Sequence, residues 1–175
     1  SKVIRRELAL APGDVFSSVK MDASKSRLNN LNYFSKVDIY PSDTGVATDR
    51  DLNVVLEEKR TGSLNFGAGF SSVDSLLGFA ELTQGNFDAT HWPNFTGGGQ
   101  KFRTRIQYGA KRRDATMGLT EPYFLDRKLS LGGEVFYHEN SYSSESYSYQ
   151  TFGFELVAKK PITEFSFGRL GYRIE

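Results

Sequence analysis

Few side chains in this sequence could carry out bond-making chemistry. There are two histidines, His91 and His138, and no cysteine. A nucleophilic serine needs a histidine, an acid to orient it and an oxyanion hole. Nothing in the spacing around either histidine points to that set, so both read as histidines on a wet surface. A zinc site needs a cluster of three or four ligands, and Asp88 with His91 is too small a group. Gly97-Gly98-Gly99 has the smallness of a phosphate loop but lacks the Lys-Ser/Thr pair that would follow one. It reads as a flexible turn. No catalytic residue, metal or cofactor is therefore expected. A net charge of +1 gives no strong pull towards nucleic acid.

The segment with the most distinctive potential is Gly62–Phe70, and its chemistry is main-chain hydrogen bonding. Leu64, Phe66, Ala68 and Phe70 alternate with Ser63, Asn65, Gly67 and Gly69, the period of a strand with one apolar side. As the first strand of its series it has no covalently adjacent neighbour on one side, so the N–H and C=O groups there need a partner. Gly67 and Gly69 are expected to weaken strand order and permit bending.

The surrounding elements fall into two groups. Before Thr61, glycine occurs only at Gly13 and Gly45; the rest of the 17 glycines and most of the aromatic residues follow. In the first part, Val3–Leu8 reads as a short helix ended by Ala11-Pro12-Gly13-Asp14. A second helix covers about 18–32, with Val19, Ala23, Leu28 and Leu31 as its apolar positions and Ser17 or Ser18 as its cap. Strands follow at Phe34–Tyr40 and Leu52–Glu58, separated by turn residues Pro41–Gly45.

The second part reads as about seven amphipathic strands. Leu76, Gly78, Ala80 and Leu82 form one side of its second strand. Phe102, Thr104, Ile106 and Tyr108 oppose Lys101, Arg103, Arg105 and Gln107. Ala115, Met117 and Leu119 follow. Next come Leu129, Leu131, Gly133, Val135 and Tyr137, then Phe152–Ala158, and a last strand at about 164–174. Ser72-Val73-Asp74, Lys111–Asp114 and Pro161-Ile162-Thr163 read as tight turns; Asn86–Gly99 and the Ser-rich Asn140–Ser146 are longer connections. Mean hydropathy is -0.45 and no apolar run of transmembrane-helix length is present. A barrel strand needs only about 9–11 residues with every second one apolar. Alternation fits either a soluble sheet with its apolar side packed inward or a membrane sheet with that side facing lipid. On the membrane reading Phe102, Ile106, Tyr108, Met117, Leu119, Leu129, Leu131 and Val135 face lipid. Phe87, Trp92, Phe95, Tyr123 and Phe124 lie near strand ends, and Tyr123 and Phe124 are assigned to the aromatic girdle at the bilayer boundary.

Several of these segments resemble, in collinear order, the BamA family of outer-membrane protein assembly factors. They are Val3-Ile4-Arg5-Arg6-Glu7-Leu8, Gly13-Asp14, Arg27–Val37, Asp51–Glu58, Thr61–Ser72, Glu121-Pro122-Tyr123-Phe124 and Leu129–Gly133. Asn32 stands where that family has a helix-terminating glycine, and asparagine is the next best residue there. The resemblance implies an α+β POTRA module followed by antiparallel transmembrane β-barrel strands of an incomplete barrel. Residues 1–60 correspond to the last POTRA domain, with its first strand expected before Ser1. Residues 61–175 correspond to the N-terminal part of the barrel, with the closing strands expected after Glu175. It implies the bacterial outer membrane, with the POTRA module in the periplasm. The implied partners are nascent outer-membrane proteins, accessory periplasmic lipoproteins and the lipid bilayer, without nucleic acid. Arg5, Arg6 and Glu7 are candidates for polar docking. The implied activity is a non-enzymatic insertase in which Gly62, Ser63, Leu64, Asn65, Phe66, Gly67, Ala68, Gly69 and Phe70 pair with a client strand. The Asn86–Gly99 connection departs from the family's commonest form, which keeps open a polypeptide-secretion pore of the TamA or two-partner-secretion branch.

Overall fold

The computed structural model describes residues 1–46, 49–72, 75–142, 147–163 and 166–175. The chain divides into two compact units, Ser1–Thr61 and Gly62–Glu175.

The first unit runs α1 (Lys2–Glu7), α2 (Ser18–Leu31), β1 (Phe34–Asp43) and β2 (Arg50–Glu58), with the two strands antiparallel. Leu28, Val37 and Ile39 form its core, with Ile4, Met21, Leu31 and Leu56 packed against them. Ser17 caps α2 by accepting the Lys20 N–H. Asn32 ends the helix at φ 60°, the left-handed conformation that asparagine tolerates better than other side chains, and donates its N–H to the Asn29 carbonyl. The inward stripe of α2 is Met21, Ser24, Leu28 and Leu31, whereas Val19 is 76% exposed, so its expected place on the apolar face is corrected. Ser24 can be fully buried because its hydroxyl is satisfied twice. It donates to the Lys20 carbonyl at 2.7 Å and accepts the Ala9 N–H at 2.8 Å, tethering the segment after α1 to α2. Removing that hydroxyl would leave the Ala9 N–H unpaired at a cost of about 1–3 kcal/mol. Asp14 clasps the same connection: the Ala11 N–H, with Lys20 beside it, holds its carboxyl below the ordinary value.

Strand β1 continues through Pro41 to Asp43, past the point where turn residues were expected. Pro41 lies opposite Leu52. Among the described residues β1 pairs on one side only, so the missing N–H of Pro41 interrupts no second ladder there. Glu7 is buried, which removes it from the expected polar docking set; Arg5 is exposed.

The second unit is one antiparallel meander of seven strands: β3 (Gly62–Ser71), β4 (Ser75–Phe87), β5 (Gln100–Gly109), β6 (Arg112–Glu121), β7 (Ser130–Tyr142), β8 (Tyr147–Pro161) and β9 (Phe167–Ile174). Each pairs with its sequence neighbours in that order. The strands have 10, 13, 10, 10, 13, 15 and 8 residues, mostly longer than the five or six usual in soluble sheets. Among the described residues β3 pairs only with β4 and β9 only with β8, so the sheet is open along both edges. Arg112–Asp114 lie inside β6 rather than in a turn. Of the expected turns and strand ends, Val73 and Asp74, residues 143–146, and Glu164 lie outside the described residues.

Candidate functional site

The register decides which side chains share a face. Leu64, Leu82, Thr104, Met117, Val135, Phe154 and Ile174 form a continuous row across all seven strands, each opposite the next. The rows beside it are of the same kind. Phe66, Ala80, Ile106, Ala115, Tyr137 and Phe152 form one, and Phe102, Leu119, Gly133, Leu156 and Tyr172 another. One face of the sheet is therefore apolar throughout. It is also bare: Phe66 is 74% exposed, Ile106 58%, Met117 55% and Leu170 76%. Among the described residues no helix or second sheet of this unit packs on it.

The apolar rows stop at polar residues on the same face. On β6 the band lies between Arg113 and Glu121, and on β8 between Gln150 and Lys160. Arg113 sits 5.0 Å over the Tyr108 ring and 3.5 Å from Glu139, which closes the band at that end. At about 3.4 Å per residue, these limits enclose roughly 27–34 Å measured along the strands. Alternation alone did not reveal these limits, because they appear only when neighbouring strands are placed in register.

The other face is polar and internally paired. Glu81 accepts from Arg103 at 2.7 Å, with Arg105 at 3.7 Å. Asp114 holds His138 at 2.8 Å on one oxygen and Arg112 at 2.6 Å on the other. Glu155 faces Arg169 at 3.5 Å and Arg173 at 3.9 Å. His138 thus belongs to this charged wall. Among the described residues no group of three or more metal-ligating side chains occurs.

All nine residues assigned to client pairing lie in β3, whose side away from β4 has no partner among the described residues. The two central glycines are not equivalent. A Cβ on Gly67 would collide with the Phe79 ring, its Cζ 2.6 Å away, whereas one on Gly69 would come no nearer than 4.0 Å to Leu77. Gly67 is therefore small to seat a ring, and Gly69 leaves free space.

Of the expected lipid-facing residues, Phe102, Ile106, Tyr108, Met117, Leu119, Leu131 and Val135 share the apolar face. Leu129 precedes β7. Its N–H donates to the Arg127 carbonyl and its own carbonyl accepts the Phe124 N–H, so its main chain closes the turn. Tyr123 and Phe124 lie in that same turn, where Phe124–Asp126 form a single 3-10 turn.

The connections after β4, β6 and β8 emerge at the end of the sheet where β3 begins. There an aromatic cluster forms that sequence reasoning did not assemble. Phe87 stacks on Phe102 at 5.2 Å and on Phe95 at 6.0 Å, and Trp92 meets Phe95 edge-on at 5.3 Å. The glycines of this connection have defined structural roles. Gly97 and Gly99 have φ of 112° and 79°, and a Cβ on Gly98 would lie 2.7 Å from the Phe87 carbonyl. Asn86 accepts the Gly97 N–H on its carbonyl and the Gly99 N–H on its side chain. Asp88 accepts both the Thr90 hydroxyl and the Thr90 N–H, which hold its carboxyl below the ordinary value.

Known proteins share this arrangement. Residues 1–59 match the POTRA family, described as a surface antigen variable number repeat, and residues 94–175 match the Omp85 superfamily domain. The chain is BamA-like, a POTRA module joined to an Omp85 segment. It is 28% identical over 173 residues to the outer membrane protein assembly factor BamA of Nitratidesulfovibrio vulgaris, covering 99% of this chain and 21% of that protein. It is likewise 28% identical over 170 residues to BamA of Neisseria meningitidis, covering 94% of this chain and 20% of that protein. The crystal structure of Haemophilus ducreyi BamA lacking POTRA domains 1-3 superposes with a TM-score of 0.80 at 27% identity, over 98% of this chain and 32% of that one. The BamA-like chain spans about a fifth of the length of these curated relatives. Its place is the outer membrane, with the POTRA module in the periplasm.

Proposed function

We propose that this BamA-like chain is the seam-forming part of an outer-membrane protein insertase. On this reading residues 1–60 are the last POTRA domain and 61–175 the N-terminal strands of a transmembrane barrel. The exposed band faces hydrocarbon and the charged face looks into a wet lumen. The aromatic cluster of Phe87, Trp92, Phe95 and Phe102, with Tyr123 and Phe124, sits at the periplasmic boundary of the bilayer. The band's polar limits support this orientation: a soluble sheet would cover such a surface with a second layer.

The observation that carries the functional reading is that β3 opens the meander, so its edge away from β4 meets no sequence-adjacent strand of this sheet and lies beside that band. Each unpaired backbone group costs several kcal/mol in hydrocarbon. An arriving client strand removes that cost by pairing there, which is β-augmentation. The work is strand pairing driven by client folding, without bond-breaking chemistry. Clients are nascent outer-membrane proteins, with accessory periplasmic lipoproteins docking on the POTRA unit.

A photo-crosslinker carried through positions 62–70 of β3 in the full-length protein, reconstituted in liposomes, tests this. Expected are crosslinks to a urea-unfolded β-barrel substrate added to the liposomes, and none from the same scan through Ala115–Leu119 of β6, which has neighbours on both sides. A β3 scan without substrate contact would remove the proposal.

A further inference from the structure

Two phenylalanines interrupt the charged face, and they are held in the same way. Phe79 on β4 lies opposite Gly67 on β3, and Phe136 on β7 lies opposite Gly153 on β8. Each ring occupies the space where the glycine would carry a side chain: a Cβ there would lie 2.6 Å from Phe79 Cζ or from Phe136 Cε2. An arginine caps each ring, Arg105 at 5.0 Å and Arg173 at 4.3 Å. The same arginine reaches a glutamate directly opposite it, Arg105 to Glu81 at 3.7 Å and Arg173 to Glu155 at 3.9 Å. Glycine, ring and cation thus join three consecutive strands, β3–β5 in one case and β7–β9 in the other. Phe136 is only 2% exposed, on a face that is otherwise wet.

The copy on β3 has a particular consequence. The side chains of β3 on this face are Ser63, Asn65, Gly67 and Gly69. Beside the backbone ladder, a 2.6 Å bond between the Ser63 and Thr83 hydroxyls ties this face of the strand to β4, and Gly67 and Gly69 contribute no side chain to hold it. A sheet edge with so few side-chain contacts is weakly specified in register. A two-residue slip keeps both faces correct, so hydrophobic patterning does not forbid it. In one direction the slip brings Asn65 under the Phe79 ring, where its Cβ would meet the ring as a Cβ on Gly67 would. In the other it brings Gly69 there, and only the loss of the established contacts opposes it.

We propose that Phe79 is a positioning residue for the seam strand. Its ring, seated on Gly67 and capped by Arg105, fixes the register of β3 on β4 and so the position of the open edge offered to a client strand. This rests on the insertase reading for its purpose, but its test needs no client and can fail or succeed independently of that reading.

These 175 residues hold no cysteine, so register is measurable by disulfide trapping in the full-length protein in liposomes, with any cysteine outside them replaced by serine. Leu64→Cys with Leu82→Cys reports the native register, because these residues are directly opposite; Phe66→Cys with Leu82→Cys reports the slip that seats Phe79 over Gly69. With Phe79 present, only the first pair forms. With Phe79→Ala, the second pair should increase about tenfold or more, the scale of losing a packed ring and its cation–π cap. Phe136→Ala, which removes an equivalent ring elsewhere, should leave the β3–β4 pairs unchanged. Gly67→Ala should raise slip on its own, and most of that effect should vanish when Phe79→Ala is already present. Gly69→Ala should have little effect. A single native register in Phe79→Ala, or the same slip in Phe136→Ala, would overturn the proposal. So would additive effects of Gly67→Ala and Phe79→Ala.

Discussion

Lysine at position 106 should lower the stability of the bilayer-inserted protein by about 1–3 kcal/mol, the cost of a cation on the lipid face between the membrane midplane and one interface. Ile106 is central in β5 and 58% exposed, with Ala80 and Ala115 as its neighbours across the ladders. A lysine there has no acid within its own row; Arg113 and Glu139 of the nearer rim lie two residues along β6 and β7 from it, and Glu121 of the farther rim six. Gln107, the next residue, faces the charged side opposite Phe79 and Asp114. Lysine at 107 should change stability by no more than about 0.5 kcal/mol, as most substitutions on a wet surface do. The pair differs by one position and by one face. Urea unfolding in liposomes measures both, with the midpoint shift read at constant slope. Equal effects at 106 and 107, or a larger one at 107, would place the hydrocarbon on the wrong side of the sheet.

A proline scan of β3 should divide by parity. In a strand, alternate residues direct their N–H and C=O to opposite edges. Proline at one parity therefore removes a bond to β4, whereas at the other it removes a donor from the open edge. Leu64, Phe66 and Ala68 form one set, and Asn65 with Gly69 the other; Gly67 is omitted because of the ring seated on it. The set that keeps the Leu82 pairing intact should nevertheless slow assisted folding of a β-barrel substrate by at least about tenfold. One missing edge bond in hydrocarbon costs several kcal/mol, and about 1.4 kcal/mol already makes a factor of ten. Equal loss from both sets would mean that β3 matters only as part of the sheet. No loss from either would remove the edge from the mechanism.

The strands themselves were legible in the sequence because a half-apolar strand writes its face in every second residue. Phe66, Ile106, Met117 and Val135 could be assigned to one face from their spacing alone, and the register puts them there. What spacing could not supply was the alignment between strands. The polar limits at Arg113, Glu121, Gln150 and Lys160 become a boundary only across the sheet, and Arg113 in isolation resembled a turn residue. Gly67 and Gly69 look identical along the chain, but the side chain opposite each separates them. Leu129 has the parity of the lipid face, and its main chain also closes a turn, a role its spacing did not announce. In α2 the apolar spacing pointed to Val19, whereas the inward stripe passes through Ser24, a polar residue made buriable by a long-range bond to Ala9. Pro41 was a reasonable strand terminator, but β1 runs through it to Asp43, with Pro41 opposite Leu52.

Everything proposed for β3 depends on which side of the meander meets lipid. Spin labels at Phe66, Ile106 and Leu131, compared with labels at Asn65, Gln107 and Gly132, measure this directly in the reconstituted full-length protein. The first three should be open to a lipid-soluble quencher such as oxygen and closed to a polar nickel chelate, with the reverse at the second three. Shielding of the first three from the lipid-soluble quencher would mean that the apolar face is packed in protein, which contradicts both the membrane orientation and the seam built on it.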